Sequence, residues 1–440
     1  MGAVEPQVTT ETKLKRIAWL SSKDSSKEFT ALMHHFNEES LEACFYEIDG
    51  RKSVGVDGVD KKTYGDQLKG NLKELIARMK RMAYRPGPVR EVQIPKDGKP
   101  KATRPLGISN FEDKFVQKMT KKVLESIYEP TFLSCSFGFR PGLGCHDAIR
   151  ALMQHLYANE VGTVIDVDIS NFFGTIDHSK LEGILRSKIK NPVFMRYIIR
   201  MFKSGVLKDN ELIVPEGGVA QGSGCSPILA NIYADHVIDQ WFETVVKQHC
   251  RGKVEMFRYC DDMVICCQYQ LDGERIKQAL VKRVGKFKLS LNEDKTRSVS
   301  FSRRQQRQGV KQGVFDFLGF TIFLSRSRKG VVIPKLKTSG KKFRAKLKNI
   351  KTWIKDNRSR HSTMALWSTL CSKLRGHIRY YGVSHNFRSM SCFIYRVTRI
   401  MFKWLNRRSQ KKSITWDKFN LFMGRFPLPR ARVYHRLFYA

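Results

Sequence analysis

Two adjacent aspartates, Asp261 and Asp262, interrupt an aromatic and apolar stretch that reads "FRYCDDMVICC" over residues 257–267. A buried carboxylate costs several kcal/mol unless a cation or strong hydrogen bonds compensate it, so the pair needs an explanation. A similar segment, "VIDVDIS" at 164–170, contains Asp166 and Asp168, which share one face of a strand. Asp168 and Asp261 could together hold two Mg²⁺ ions about 4 Å apart, as in phosphoryl transfer. For the Asp-Asp pair taken alone, a hairpin turn that simply favours aspartate is the alternative.

Further motifs surround these aspartates in a fixed order. They are "DISNFF" from residue 168, "QGSGCSPILANIY" from 221, "LNEDKT" from 291 and "FLGF" from 317. This series resembles the motifs of reverse transcriptases. Together with "IPKDGKPKATRPLGIS", "SCSFGFRPGLGCHDAI", "LRGHIRYYG" and "LNRRSQKKSITWDKF", it resembles the bacterial group II intron-encoded reverse transcriptases, or maturases, from about residue 50 onward.

The resemblance implies a fold and a metal site. The fold would be α+β, a right-hand polymerase whose fingers and palm contain an antiparallel sheet, followed by an all-α thumb or maturase domain. Asp168 and Asp261 would hold two Mg²⁺ ions, with Mn²⁺ as a possible substitute, and Asp262 would support them. The backbone carbonyl of Ile169 would be a further metal ligand.

The resemblance also implies a nucleotide site. Phe173 would lie under the incoming sugar and collide with a 2′-hydroxyl, which would select deoxynucleotides. The alternative is that Phe172 and Phe173 are ordinary core aromatics, as at least one of the two is expected to be. Gln221 would pack against nucleotide and template. Lys96 and Arg104 would clamp the triphosphate from a hairpin tip, where solvated charges are the alternative explanation, and Lys295 would either assist near the phosphates or cap a turn.

The sequence departs from the family pattern at three positions. Cys260 replaces an alanine and adds an oxidisable thiol, Gly174 replaces a common aspartate, and "VAQGSG" lacks the usual proline and Gly-Gly, with Ser223 inside it. None of these changes removes a catalytic carboxylate, so we expect activity, while the sequence leaves their effect on fidelity and nucleotide handling open. The sequence ends at "VYHRLFYA" without cysteine pairs or an acidic cluster, so we expect no C-terminal endonuclease.

The charge distribution predicts a nucleic-acid partner. The formal net charge is +39, and residues 301–440 contain only three acidic residues, Asp316, Asp356 and Asp417. Such a basic region suits phosphate binding without base readout, although a solvated basic face is the alternative. The candidate RNA or template contacts are Arg375, Arg379, Arg407, Arg408, Lys411 and Lys412. Most of the interleaved tryptophans and tyrosines are expected to be core residues.

Composition excludes several other classes. The ten cysteines include no C-x-x-C pair, so neither a zinc site nor a disulfide framework is indicated. No stretch is long and apolar enough for a membrane span or a signal core. We therefore expect a cytoplasmic protein, and the resemblance implies a bacterial one, with association to the nucleoid possible.

Three regions are predicted to position the candidate site. Residues 1–60 would be an N-terminal extension and loop, 61–330 the fingers and palm, and 331–440 a basic helical thumb. Within them we expect a hairpin over 84–108, a strand, turn and helix over 162–178, a strand-turn-strand over 257–267, a strand over 315–323, and a helix with Leu366, Leu370, Leu374, Ile378 and Tyr381 on one face.

The leading hypothesis is an RNA-directed DNA polymerase that uses an RNA template, a DNA or RNA primer and dNTPs, and that also binds structured intron RNA to assist splicing. One alternative is a splicing cofactor with a vestigial polymerase site. Another is a host-domesticated enzyme of repair or phage defence. An RNA-dependent RNA polymerase is disfavoured by the bulk of Phe173, and the oligomeric state is left open.

Overall fold

The computed structural model describes residues 9–96, 99–208, 211–214, 216–408 and 414–438, without the side chains of residues 96 and 99–102. The helices in these ranges are α1 (Thr10–Lys23), α2 (Glu38–Tyr46), α3 (Lys61–Gly65), α4 (Leu68–Lys80), α5 (Phe111–Tyr128), α6 (Cys145–Ala158), α7 (Phe172–Thr175), α8 (His178–Lys188), α9 (Pro192–Phe202), α10 (Ser226–Ala234), α11 (Gln270–Gly285), α12 (Arg303–Arg307), α13 (Gly340–Asn357), α14 (Thr363–Tyr381), α15 (Phe387–Leu405) and α16 (Trp416–Arg425). Helix α10 continues as two π-helical segments, Asp235–Asp239 and Phe242–Val246.

The strands form three sheets. They are β1 (Val89–Lys96), β2 (Lys99–Ile108), β3 (Thr163–Asp168), β4 (Val206–Lys208), β5 (Glu211–Ile213), β6 (Val254–Tyr259), β7 (Asp262–Cys267), β8 (Arg297–Ser300), β9 (Phe315–Phe317), β10 (Phe320–Arg326) and β11 (Val332–Thr338). The hairpin sheet has the order β2-β1-β4-β5, the central sheet β6-β7-β3-β8, and the third sheet β11-β10-β9. All strand pairs of the central sheet are antiparallel, as predicted.

The central sheet separates two hydrophobic cores because successive side chains of a strand point to opposite faces. Ile165 and Val167 of β3 and Met263 and Ile265 of β7 face a large core shared with helices α1 to α5 and α7 to α11. On the other face, the alternate residues Val164 and Val264 enter a second core together with the third sheet and helix α14. Asp168 and Asp262 belong by this alternation to the second face.

The C-terminal helical region, α13 to α16, has a core of its own. Leu366, Leu370 and Leu374 of α14 are buried there against residues of α13, α15 and α16. Ile378 and Tyr381, one to two turns later on the same helix face, enter the second core instead. The predicted apolar face of this helix is confirmed, and it connects the C-terminal helices to the central sheet.

Two predictions about elements are corrected. The segment 315–323 is a hairpin rather than one strand, since Leu318 and Gly319 both have positive φ (46° and 82°) and turn the chain between β9 and β10. The all-helical character expected from residue 331 begins only at α13, because Val332–Thr338 alternates buried and exposed residues and pairs with β10. A boundary at residue 330 would therefore split a hairpin.

The N-terminal residues pack into the body of the protein. Leu41 and Phe45 of α2 and Ile17 of α1 are part of the large core, against helix α5. The described part of the predicted extension therefore has no separate core. Among the described residues, no helix is long and apolar enough to cross a membrane.

Candidate functional site

The two adjacent aspartates lie at a tight turn between β6 and β7. Tyr259 pairs with Asp262, which leaves Cys260 and Asp261 as the turn residues. Cys260 has φ of 61°, a left-handed conformation that non-glycine residues seldom adopt. The predicted strand-turn-strand is confirmed, with Asp261 in the turn and Asp262 as the first residue of β7.

A buried guanidinium fixes this turn from below. Arg258 is fully buried, and it donates to both carboxylate oxygens of Asp239, to the hydroxyl of Ser136 and to the backbone carbonyl of Cys260 at 3.1 Å. Asn231 accepts a longer bond from it at 3.3 Å. A guanidinium has five donors in a rigid plane. These bonds therefore connect the π-helical segment Asp235–Asp239, the loop that contains Ser136 and the turn at Cys260.

Asp168 lies directly across from the turn. The register of β3 and β7 pairs Asp168 with Asp262, and directly opposed residues of antiparallel strands point to the same face. Asp168 is partly exposed and Asp262 exposed, so this end of the sheet is open to solvent. The structure therefore brings together Asp168, Asp261 and Asp262, as predicted from the order of the motifs.

The carboxylates disfavour one another's charge. Desolvation by the surrounding protein, followed by repulsion from the charges of Asp261, Asp168 and Asp166, raises the pKa of Asp262 to about 6. The pKa of Asp261 is also raised, first by burial and then by the charge of Asp168. A group of carboxylates with raised pKa values on an accessible edge is stabilised by cations.

Asp166 has a different environment from Asp168, although both are on one face. It lies two residues deeper in β3, and burial raises its pKa to about 6 against the opposing effect of Arg297, whose Nε is 3.5 Å from its carboxylate. Asp166 is therefore paired with an arginine within the sheet.

Lys295 forms an ion pair with Asp168. Its Nζ is 2.7 Å from Oδ2 of Asp168, and its side chain is 58% exposed. The surrounding loop also holds the end of β3, since Asn292 N–H donates to the carbonyl of Asp168 and Thr296 is within hydrogen-bonding distance. The sequence predicts a phosphate contact or a turn cap for Lys295, and in the structure its ammonium lies on Asp168, a candidate metal ligand.

The donor set fits a hard, hydrated cation. Within the described ranges, no three or more His, Cys, Asp or Glu side chains form a compact metal-ligand cluster. Mg²⁺ commonly takes only one or two carboxylates and fills its remaining positions with water and phosphate oxygens, so an open pair such as Asp168 and Asp261 suits it. The Ile169 carbonyl is adjacent, and the bridge between Ile169 and Leu291 uses the Asp168 carbonyl and the Ser170 N–H rather than the Ile169 carbonyl.

The candidate nucleotide residues are joined through backbone hydrogen bonds. The carbonyl of Phe173, in the one-turn helix α7, accepts from Val219 N–H at 2.8 Å. The carbonyl of Gln221 accepts from Gly107 N–H of β2 at 2.6 Å. Phe172 is buried and Phe173 half-buried, as expected if only one of them is a core residue. The loop at 217–224 therefore connects Phe173 to the hairpin sheet.

A cavity of about 250 Å³ lies behind this loop. It is bounded by the backbone of the loop, by β1, β2 and β4, and by the ends of α9 and α10. Gly174 and Gly218 approach closely there: a Cβ on Gly218, whose φ is 88°, would be 2.9 Å from the Gly174 carbonyl oxygen. The Gly174 departure therefore lies where two backbone segments touch.

The remaining predicted residues are dispersed. Arg104 is exposed on β2 opposite Ile94, and the side chain of Lys96 lies outside the described residues. Arg375 and Arg379 are exposed on one face of α14. Arg407 lies over the Trp404 ring, and Arg408 donates to Thr363 and to the carbonyl of His361. Lys411 and Lys412 lie outside the described residues.

Two features of the site were missed by the sequence analysis. The Arg258 network could have been suspected from a lone arginine within the apolar strand "VEMFRY", since a buried guanidinium requires a carboxylate partner. The ion pair between Lys295 and Asp168 had no such signal, because its members are 127 residues apart.

Comparison with known proteins gives a consistent family. Residues 94–322 match the family described as "Reverse transcriptase (RNA-dependent DNA polymerase)". The chain is 32% identical over 229 residues to the group II intron-encoded protein LtrA of Lactococcus lactis subsp. cremoris, a match that covers 52% of this chain and 38% of LtrA.

Two further relatives extend the comparison. Protein YkfC of Escherichia coli K12 is 31% identical over 317 residues, 64% of this chain and 78% of YkfC. An uncharacterised 91 kDa protein in the cob intron of Schizosaccharomyces pombe is 42% identical over 144 residues, 32% of this chain and 17% of that protein. The chain thus spans about two fifths of the length of LtrA but most of YkfC.

Proposed function

The chain belongs to the reverse transcriptase family, with relatives among the group II intron-encoded proteins, and on this basis we propose that it is an RNA-directed DNA polymerase. The observation that carries the proposal is the register that sets Asp168 opposite Asp262, with Asp261 in the adjoining turn, at an accessible end of the central sheet. A structural Asp-Asp turn would have no need of a third carboxylate on the neighbouring strand.

The reaction is proposed to be a two-metal phosphoryl transfer. Asp168 and Asp261 would hold two Mg²⁺ ions, or Mn²⁺, with Asp262 and the Ile169 carbonyl in support. When bound, such ions activate a primer 3′-hydroxyl and stabilise the leaving oxygen. Lys295 then has to release Asp168 or share it, and its ammonium would be free to approach the phosphates.

Selection of the nucleotide is proposed to rest on Phe173, supported by Gln221. The hydrogen bond from Val219 to the Phe173 carbonyl holds α7 against the loop that contains Gln221. A half-buried ring held in this way would collide with a ribose 2′-hydroxyl. Arg104 and Lys96 on the hairpin sheet would bind the triphosphate.

The proposed arrangement is that of a right hand. The hairpin sheet would form the fingers, the central sheet the palm, and the C-terminal helical region the thumb. Arg375 and Arg379, exposed on α14, would contact the phosphates of the RNA template or of structured intron RNA. Two of the relatives are named as proteins encoded in introns, and we include an additional role in intron splicing in the proposal.

The experiment is primer extension on an RNA template with Mg²⁺, in which dNTPs are compared with rNTPs. Wild type is compared with Asp261→Asn and with Asp294→Asn, a matched control that neutralises an exposed aspartate in the "LNEDKT" loop. We expect DNA synthesis by wild type and by Asp294→Asn. Asp261→Asn should lose at least about a thousandfold in rate, because it removes a metal ligand.

RNA binding separates a catalytic role from a structural one. Asp261→Asn leaves the basic surface intact, so its affinity for RNA should equal that of wild type. Loss of RNA binding in this variant would make Asp261 structural. Tight RNA binding by wild type without any extension would favour the splicing-cofactor hypothesis.

A further inference from the structure

An exposed phenylalanine stands next to the candidate catalytic turn. Phe139 is 49% exposed and has φ of 57°. An aromatic residue rarely adopts this left-handed conformation, and residues held in strained conformations are concentrated at functional sites. The strained backbone costs free energy and the exposed ring regains little of it by burial, so a role in binding would explain why the ring is presented there.

The backbone on each side of Phe139 is fixed. Gly138 is packed so closely against the turn that an added Cβ would be 2.5 Å from the Cys260 nitrogen. Its carbonyl accepts from buried Asn231 at 2.6 Å, while Arg140 donates to Glu129 and to the carbonyls of Leu133 and Ser136. Phe139 is therefore held rigidly by the elements that also hold the catalytic turn.

The Phe139 ring continues a row of side chains that starts at the carboxylates. Asp168, Asp262 and Tyr259 occupy paired positions on three neighbouring strands and share one face. Phe139 lies beyond the edge strand β6, with its ring centroid 6.3 Å from that of Tyr259. Since strands are about 4.8 Å apart, the Phe139 ring lies on the order of 10 Å from Asp262.

The row runs away from the candidate nucleotide residues and toward the C-terminal helical region. Tyr259 packs against the second core, which also contains Ile378 and Tyr381 of α14. Phe173 and Gln221, by contrast, are linked to the hairpin sheet. A distance of about 10 Å corresponds to roughly three base steps of 3.4 Å.

We propose that Phe139, with Tyr259 beside it, is an aromatic contact for the newly formed primer–template duplex, two to three base pairs behind the growing end. This inference rests on the proposed polymerase function. The ring would pack on sugars and base edges, which is independent of sequence, and would thereby detect a distorted pair shortly after its synthesis.

The test compares Phe139→Asn, Phe139→Tyr and the control Leu271→Asn. Asparagine tolerates the left-handed backbone and removes the ring, whereas tyrosine keeps the ring. Leu271 is 60% exposed on α11, which packs behind the central sheet, so its variant measures the effect of losing an exposed apolar side chain elsewhere. Duplex affinity is measured by fluorescence anisotropy of a DNA primer on an RNA template, without dNTP, followed by single-nucleotide extension.

For Phe139→Asn we expect the Kd and the KM for primer–template to rise about fivefold, with an unchanged KM for dNTP. Extension past a mismatch two or three pairs behind the end should be discriminated less well than by wild type. The Tm should be unchanged or about 1–2 °C higher, because a strained residue is relieved. Phe139→Tyr and Leu271→Asn should behave as wild type.

Three results would overturn the inference. They are an unchanged duplex Kd in Phe139→Asn, an equal weakening for single-stranded RNA, or a lower Tm together with changes in both KM values. If wild type binds duplex but extends nothing, the polymerase function fails while the duplex Kd still decides the role of Phe139.

Discussion

Arginine is used in opposite ways in two regions of this molecule. Arg258, beneath the turn that contains Cys260 and Asp261, is fully buried and donates to four side chains or carbonyls. Arg375 and Arg379 on α14 are exposed, in a stretch from residue 340 onward with only two acidic residues, Asp356 and Asp417. A buried charge with fixed partners specifies geometry, whereas exposed charges that the chain cannot neutralise are suited to a polyanion.

The largest expected effect is on the buried side. Arg258→Met should lower the free energy of unfolding by about 3–5 kcal/mol, because Asp239 would remain buried without a partner. Urea unfolding measures this loss. The double variant Arg258→Met/Asp239→Leu should recover much of it, since neither charge then remains.

The double variant also separates stability from positioning. It should fold but extend primers poorly, because no donor then holds the Cys260 carbonyl and the turn. Full activity in the double variant would show that the network serves stability alone and does not position the turn for catalysis.

A second prediction concerns pH and stability in the same buried region. Burial, and then the charge of Asp239, raises the pKa of Asp235 to about 7, above the unfolded value near 4. The folded state therefore binds the extra proton between these pH values, so this group makes stability fall as pH rises from about 4 to 7, by at most about 1.4 kcal/mol per pH unit.

Asp235→Asn should flatten that dependence, as measured by urea unfolding at several pH values. Asp294→Asn, on the exposed loop, should leave the slope unchanged. An unaltered slope in Asp235→Asn would mean that Asp235 is ionised normally in the folded protein.

For the exposed arginines of α14, the informative measurement is how RNA affinity depends on salt concentration. Arg375→Ala/Arg379→Ala should weaken RNA binding and reduce the slope of log K against log salt by about 1.4, because two phosphate contacts of roughly 0.7 each are lost. Stability should change by less than about 0.5 kcal/mol. Arg275→Ala/Lys282→Ala, which removes two exposed charges from α11, should not change the slope.

The sequence indicated which carboxylates lie together better than it indicated the boundaries of the surrounding elements. Asp168, Asp261 and Asp262 could be identified because each lies at the end of a short apolar strand and in a known order, and strand register then aligns them. The break between β9 and β10 was missed because leucine at 318 gives no signal for a left-handed turn; only Gly319 does.

Long-range polar contacts were predicted least well. The Arg258 partners come from Ser136, Asn231 and Asp239, on two different segments, and sequence spacing does not determine which of many carboxylates fills a buried position. The same is true of Lys295, whose partner depends on how the loop before β8 folds back over β3.

The smallest expected effect concerns Cys260, the departure that directly precedes the candidate metal ligand Asp261. The residue is 3% exposed, and burial, followed by the charge of Asp261, raises the pKa of its thiol well above the ordinary value. Reaction with electrophiles requires an accessible thiolate, so Cys260 should be alkylated by iodoacetamide far more slowly than the partly exposed Cys392, as peptide mass spectrometry would measure. Cys260→Ala keeps a small residue in the turn and should alter the extension rate by less than about twofold and stability by about 1 kcal/mol or less. Rapid alkylation, or a change of tenfold or more in the extension rate, would mean that the turn opens and exposes the thiol. The buried Arg258 network would then not hold the turn rigidly.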